Sequence, residues 1–566
     1  MIIKFICVVS LACMFATSVS AKVACEGNCK DGKGISYTSD GIKVYEGQFK
    51  DQKHHGHGIL YRTDGKILYE GEWKNGKNDG QGTSHAPDGS RYEGQFKDGK
   101  KNGIGKLYGA DGSKPVEGIW NDDLCVYMGQ IKNGKKEGKG TLFGPNDTKL
   151  FEGEWKGDKK DGQGTSYETD GSRYEGQFKD DKRYGIGTLY VPIVESKGVI
   201  GSIFGGDDKK VKATVKLYEG QWRDDKKNGK GTYYGPVVEG TLEHLFDYLL
   251  VPDGKNDNKS PEAKGPAKLF EGVWKADKLE GVGIYYYPDG KKLCEGQWKD
   301  DKLDGQATIY YANGKKLYEG QWKDGKLNGK ATSYGPDGAK LYEGQWKDDL
   351  KEGQGISHAP DGSRYEGQFK DDQKNGNGVL YAPSADSSIK NVFSILFKPD
   401  ETKTKGTAKL YEGQWKSDKQ DGKGAYYYPD GKKLCEGQWK DGKLAGQATM
   451  YYPDGKKLYE GKWEDGKFEG MGDGFRKSGV IYYQGMWKDG KMDGQGNGYS
   501  KDGIHDYQGS WKNNEYNGKG ILLGAGGKKL YEGEWKDGKF DGQGTFYNQD
   551  GTIIYAGQWK DGVAIK

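Results

Sequence analysis

Between Leu317 and Lys340 the chain reads Leu-Tyr-Glu-Gly-Gln-Trp-Lys-Asp-Gly-Lys-Leu-Asn-Gly-Lys-Ala-Thr-Ser-Tyr-Gly-Pro-Asp-Gly-Ala-Lys. Tyr318, Gly320 and Trp322 alternate with Glu319, Gln321 and Lys323. A period of two predicts a strand with rings on one face and polar groups on the other. Gly320 falls between the two rings, and its missing side chain leaves room for a ring from a neighbouring strand. Asp324-Gly325 signals a hairpin turn, because Gly accepts positive φ without steric cost. Asn328 to Tyr334 predicts the returning strand, with Gly329 and Ala331 small on one face. Pro336-Asp337-Gly338 then turns the chain into a fresh copy at Leu341-Tyr342-Glu343. Each copy is one β-hairpin, and consecutive copies predict an antiparallel meander.

The anchor Tyr position recurs about twenty times from Tyr45 to Tyr555, mostly in steps of 23 or 24 residues. Every Trp lies four residues after an anchor, from Trp73 to Trp559, with Phe49, Phe96, Phe178, Phe369 and Ile131 in the remaining slots. A catalytic Trp would not recur in this way; a packing residue would. One buried ring contributes roughly 1.5–3 kcal/mol, while ordering one residue costs roughly 1–2 kcal/mol. A lone hairpin of this length therefore cannot persist, and each must share rings and backbone bonds with its neighbours. The predicted fold is all-β, an elongated meander or solenoid of about twenty hairpins.

Four places break the period. Val116 to Tyr127 is a step of only 11 residues, read as a truncated or damaged copy. Three insertions, 191–215, 235–267 and 382–408, each open just after a Tyr and rejoin at Lys-Leu-(Tyr/Phe)-Glu-Gly. They replace the Pro-Asp-Gly turn and are expected on one edge of the sheet. Leu242, Leu245, Phe246 and Leu249 have helical spacing, as do Ile389, Val392, Phe393 and Leu396. Short amphipathic helices fit that spacing, either as lids on the sheet or as docking elements for a partner. In the docking reading the contacts are Leu245, Phe246, Leu249, Val392, Phe393 and Leu396. The array then divides into 22–44 (a degenerate first copy or cap), 45–190, 216–234, 268–381 and 409–566.

Residues 1–21 change the cellular picture. Lys4, the apolar run Phe5–Ala16 and Val19-Ser20-Ala21 form a secretory signal pattern, too short to span a bilayer. The mature chain is expected to be secreted, periplasmic or at the cell surface, with cleavage after Ala21. Across 566 residues, 88 basic and 84 acidic side chains nearly cancel. That balance argues against a nucleic-acid partner.

Chemistry is sparse. Cys25-Glu26-Gly27-Asn28-Cys29 copies Tyr-Glu-Gly-Gln-Trp. An extended strand would hold its ends too far apart for a disulfide, so a bridge needs a bend, and both states stay open. Cys294 and Cys435 occupy anchor positions and read as packed thiols. His54, His55 and His57 stand at turn positions that other copies fill with Asn, Asp, Gln or Lys, so repeat drift outweighs a metal site. Gly229-Lys230-Gly231 precedes no helix that could receive a phosphate. The Asp-Gly turns lack the spaced carboxylates of a calcium loop. Asn146-Asp147-Thr148 and Asn258-Lys259-Ser260 are glycan acceptor sequences in a eukaryotic secretory route. No cofactor, metal or catalytic set is expected.

Tyr-Glu-Gly-Gln-Trp-Lys-Asp-Gly-Lys followed by Asn/Asp-Gly-X-Gly and an aromatic resembles the MORN (membrane occupation and recognition nexus) repeat over nearly all of residues 25–566. The resemblance implies a hairpin array serving as scaffold, tether or assembly element, sometimes at membranes, with no kinase activity to inherit. The function expected is a non-catalytic secreted scaffold for protein–protein contact or envelope attachment. The alternative is a surface protein that binds glycans or lipid headgroups through repeated Tyr and Trp faces. The signal sequence departs from a cytosolic phosphoinositide role.

Overall fold

The computed structural model describes residues 24–194, 211–235, 267–383 and 407–565. Among these, 41 β-strands and two short 3-10 turns are formed, with no α-helix. The chain divides into two units: one reaches Leu293 and includes Trp298–Asp301; the other takes Cys294–Gln297 and Lys302 onward.

Within each unit, consecutive strands pair antiparallel. In the second, Lys316–Lys323 pairs with Lys326–Tyr334, which pairs with Lys340–Lys347. The Asp-Gly hairpin is a type I′ turn, with Asp324 at φ 50° and Gly325 at φ 85°. Other copies place a second Asp at the Gly position, as at Asp349 with φ 71°. There the strained left-handed residue gains a compensating bond, since the Leu327 N–H donates to its carboxylate at 2.7 Å.

The anchor rings make the core. Tyr342 and Tyr411 are 1 % and 0 % exposed. The ring of Tyr342 lies over the paired Gly344 and Gly355, where any Cβ on Gly355 would occupy the place of its ring and hydroxyl. The room left by the anchor-strand glycine is therefore used by the ring of the same strand, not by a neighbour as the alternation suggested. The Tyr342 hydroxyl donates to the Gln345 carbonyl at 3.0 Å.

Most anchor rings are then held edge-on between two others. Tyr342 lies 5.1 Å from its own Trp346 and 5.0 Å from Phe369 of the next copy. The indole N–H reaches back one copy, as Trp346 donates to the Ala331 carbonyl at 3.0 Å. Such ring pairs contribute about 0.5–1.5 kcal/mol beyond their buried area. The neighbour dependence expected from the energetics is thus built of identifiable contacts.

The insertions begin and end as strand. Lys182–Val194 pairs with Val211–Arg223, Lys226–Gly235 with Ala267–Lys275, and Gln373–Pro383 with Thr407–Lys416. The helical expectation, with Leu245, Phe246, Leu249, Val392, Phe393 and Leu396, lies outside the described residues, as does the signal sequence. The short step at Val116 is a complete hairpin of Val116–Asn121 with Leu124–Lys132.

Candidate functional face

Alternation places a polar row on the side of the strands away from the rings. In the first unit Glu152, Thr165, Glu175, Thr188, Glu219, Thr232 and Glu271 stand directly opposite one another, strand after strand. Two strands separate successive carboxylates, a pitch of about 10 Å. In the second unit Glu319, Thr332 and Glu343 begin the same row, but Ile356 and Val379 replace Thr farther on.

Each carboxylate is fixed from one side. Lys316 pairs with Glu319 at 2.6 Å, and the Tyr334 hydroxyl donates to the same carboxylate at 3.0 Å. Lys409, Glu412 and Tyr427 repeat the arrangement, with the ammonium 4.2 Å from the ring centre. Arg91 over Tyr108 at 3.7 Å and Arg173 over Tyr190 at 4.1 Å are the guanidinium versions. The bond from Lys316 and that from Lys409 hold the Glu319 and Glu412 carboxyls below their usual range. Glu319 and Glu412 are therefore charged at neutral pH, each with a Tyr and a cation along the rim.

Both units have an open trough of about 940 Å³ on this face. The first-unit trough is lined by Glu152, Glu154, Glu175, Gln163 and Thr165, with Lys139 as its only cation. The second-unit trough is lined by Glu319, Glu343, Glu366 and Glu412, again with one Lys, Lys330. The rim cations balance these carboxylates, as Lys149 does Glu152 and Arg173 does Glu175, so the surface suits polar, hydrogen-bonding groups.

The indoles are not on this face. Trp155, Trp222, Trp346 and Trp463 are 4 %, 4 %, 7 % and 2 % exposed. The Tyr/Trp ligand face of the alternative reading is thus reduced to the rim tyrosines. Sequence reasoning missed the rim triad, although its signal exists: a Lys three residues, or an Arg two, before Glu and a Tyr fifteen after it.

The three histidines are in a strand, Lys53–Tyr61, not in a turn. His54 pairs with Phe49 on the ring side, while His55 and His57 pair with Gln48 and Glu72 on the polar side. They therefore do not converge. His54 stacks on Tyr45 at 3.7 Å, a covering position nine residues after the anchor that Phe468 and Phe540 fill elsewhere.

Burial pulls the His54 imidazole from 6.5 down to about 4. Below pH 6.5 the unfolded chain takes up a proton that the folded chain refuses. The N-terminal copies should keep full stability above that pH and lose roughly 3 kcal/mol as pH falls through 4. Urea unfolding at about pH 7 and about pH 4.5 should show the loss, and His54→Phe should abolish this contribution while leaving the neutral-pH midpoint nearly unchanged. An unaltered pH dependence in His54→Phe would contradict it.

Cys25 and Cys29 are joined by a disulfide with Cα atoms 6.3 Å apart. The strand Ala24–Gly27 ends at Gly27, whose φ of 89° starts the bend. Cys294 and Cys435 are free, fully buried thiols pushed up to about 12 by burial.

A family model described as the MORN repeat matches eighteen segments, beginning with 45–67, 69–91 and 92–114, resuming at 127–149, and ending with 507–529 and 531–553. No curated protein matches the chain. Among solved structures, the TcdB2-TccC3-Cdc42 crystal structure is 10 % identical with a TM-score of 0.12, covering 94 % of this chain and 27 % of its own. TcdB2-TccC3 without its hypervariable C-terminal region is 9 % identical with a TM-score of 0.11, covering 94 % and 34 %. The Photorhabdus luminescens Tc holotoxin pore is 10 % identical with a TM-score of 0.11, covering 93 % and 27 %. The chain spans about a third or less of those chains, and at these scores they carry no argument.

Proposed function

The chain belongs to the MORN-repeat family, whose repeats generally bind proteins or membranes without catalysis, and from that premise we propose that it is a secreted scaffold acting in protein–protein contact or envelope attachment. The supporting observation is the division of labour between faces. The rings are consumed in holding copies together, and the regular Glu/Thr row is left to meet a partner. The Cys25–Cys29 disulfide suits an oxidising compartment.

The test is partner retention by the tagged chain in its native compartment. Thr165→Arg with Thr188→Arg places bulk and positive charge in the row without touching a core ring. The partner should be lost while circular dichroism stays unchanged. Retention by that variant, with loss only when the insertions are trimmed to Pro-Asp-Gly, would move the contact to the insertions. The rim pairs of Tyr with Lys or Arg support a second reading, contact with anionic lipid headgroups. Salt-sensitive binding to phosphatidylglycerol vesicles, absent for neutral vesicles, would favour it.

A further inference from the structure

The short step at Val116 does more than drop half a copy. In an antiparallel ladder, residues directly opposite one another point to the same side. Tyr92 stands opposite Leu107, and Leu107 opposite Val116, so Val116 and Trp120 lie on the ring side of the first copies. Trp120 packs on Tyr92 at 4.7 Å. Ile119 is on the other side. Tyr127, the next anchor, stands opposite Ile119, whereas Cys125 stands opposite Trp120. The anchor has changed sides.

The reason is geometric. The strand Leu124–Lys132 closes the Val116 hairpin and also opens the Tyr127 hairpin. First strands before this point run one way and those after it the opposite way, while the sheet keeps growing in the same direction. With handedness of the hairpin fixed, reversing the strand must exchange the faces.

The residues that looked degenerate fit this role. The core cluster of Tyr45, Tyr69, Trp73, Tyr92 and Trp120 ends at Cys125, and Met128 and Phe143 pack against it. Met128 stands where neighbouring copies carry Glu117 and Glu152. It is apolar because its side of the strand meets the end of the earlier ring cluster. Ile131 replaces Trp in the first copy of the new side, where no earlier anchor ring exists for an indole to meet. Beyond it the ring series restarts with Tyr127 and Trp155 at 5.5 Å.

We infer that residues 116–131 are a face-inverting junction. The Glu/Thr row faces one side of the sheet up to Glu117 and the opposite side from Glu152 onward, so that the array presents this row on both of its sides.

Met128→Glu tests the junction, because it restores the repeat consensus. If faces continued unbroken, the change would be neutral or stabilising. With the faces exchanged it puts a carboxylate against the ring cluster and lowers the thermal midpoint by several degrees, whereas Met128→Leu leaves it in place. A second background inserts a copy of residues 100–112 after Asp123, restoring the 24-residue step. There Met128→Glu should lose its penalty. A Met128→Glu chain as stable as the parent, or an equal penalty in both backgrounds, would overturn the junction.

Discussion

Gly355→Ala is expected to destabilise its copy by about 1–3 kcal/mol, although it adds one methyl group. The methyl has nowhere to go, since the Tyr342 ring and hydroxyl occupy its position. The chain contains its own control. Ala331 stands in the equivalent place opposite Gly320, and the anchor there, Tyr318, is pushed to 6.4 Å from its Trp322, against 5.1 Å for Tyr342 and Trp346. Where the anchor is Cys435, Ala448 stands opposite Gly437, and Leu444 and Met450 fill the space a ring would take, at 1 % and 0 % exposure. Ring and methyl are thus alternatives for one volume. Tyr342→Cys alone should cost about 3–4 kcal/mol through the cavity it leaves. Combined with Gly355→Ala, the cost should fall short of the sum by at least about 1 kcal/mol. Rescue is partial because Lys351 and Ser357 cannot fill the site as Leu444 and Met450 do. Urea midpoints of the three variants measure this coupling, and strict additivity would refute the shared-volume account.

Those same residues show how much the sequence discloses. Alternation through Tyr318, Gly320 and Trp322, with Asp324-Gly325 and Pro336-Asp337-Gly338, specifies strand, face and turn, because each signal is local and recurs. The use of the glycine space was misread. A period of two shows that a ring and a glycine share a side, but not that the ring folds back along its own strand. The covering residue nine positions after the anchor was hidden by chemistry. His54, Lys136 and Phe468 do one job with different groups, stacking or lying over the rings with stem or plane. The rim triad depends on a contact fifteen residues apart, across the two strands of one hairpin, which the alternation within either strand does not show. The face exchange at Val116 follows from strand parity, so its signal was present as an odd half-step, but damage and junction give the same spacing. Only the register of Tyr127 against Ile119 separates them.

Trp222→Ala should cost about 3–5 kcal/mol. The indole is 4 % exposed, lies 5.3 Å from Tyr174 and 5.2 Å from Tyr218, and donates to the Gly187 carbonyl at 3.1 Å. It therefore joins one copy to the next by ring contact and hydrogen bond together. In an array stabilised only between neighbours, removing such a link weakens one interface and leaves the others intact. Unfolding should split into two transitions, and hydrogen exchange should accelerate on both sides of Trp222 before it does elsewhere. Trp222→Phe separates the two contributions. Phe178 fills the same slot one copy earlier at 5 % exposure, so a phenyl ring packs acceptably there. What Phe loses is the donor, a net cost of about 1 kcal/mol. Trp322 supplies the comparison, because its buried N–H has no hydrogen-bond partner among the described residues. Trp322→Phe should accordingly cost less than Trp222→Phe if the indole hydrogen bond is what distinguishes the two sites. Equal penalties at both positions would mean that the ring alone links the copies.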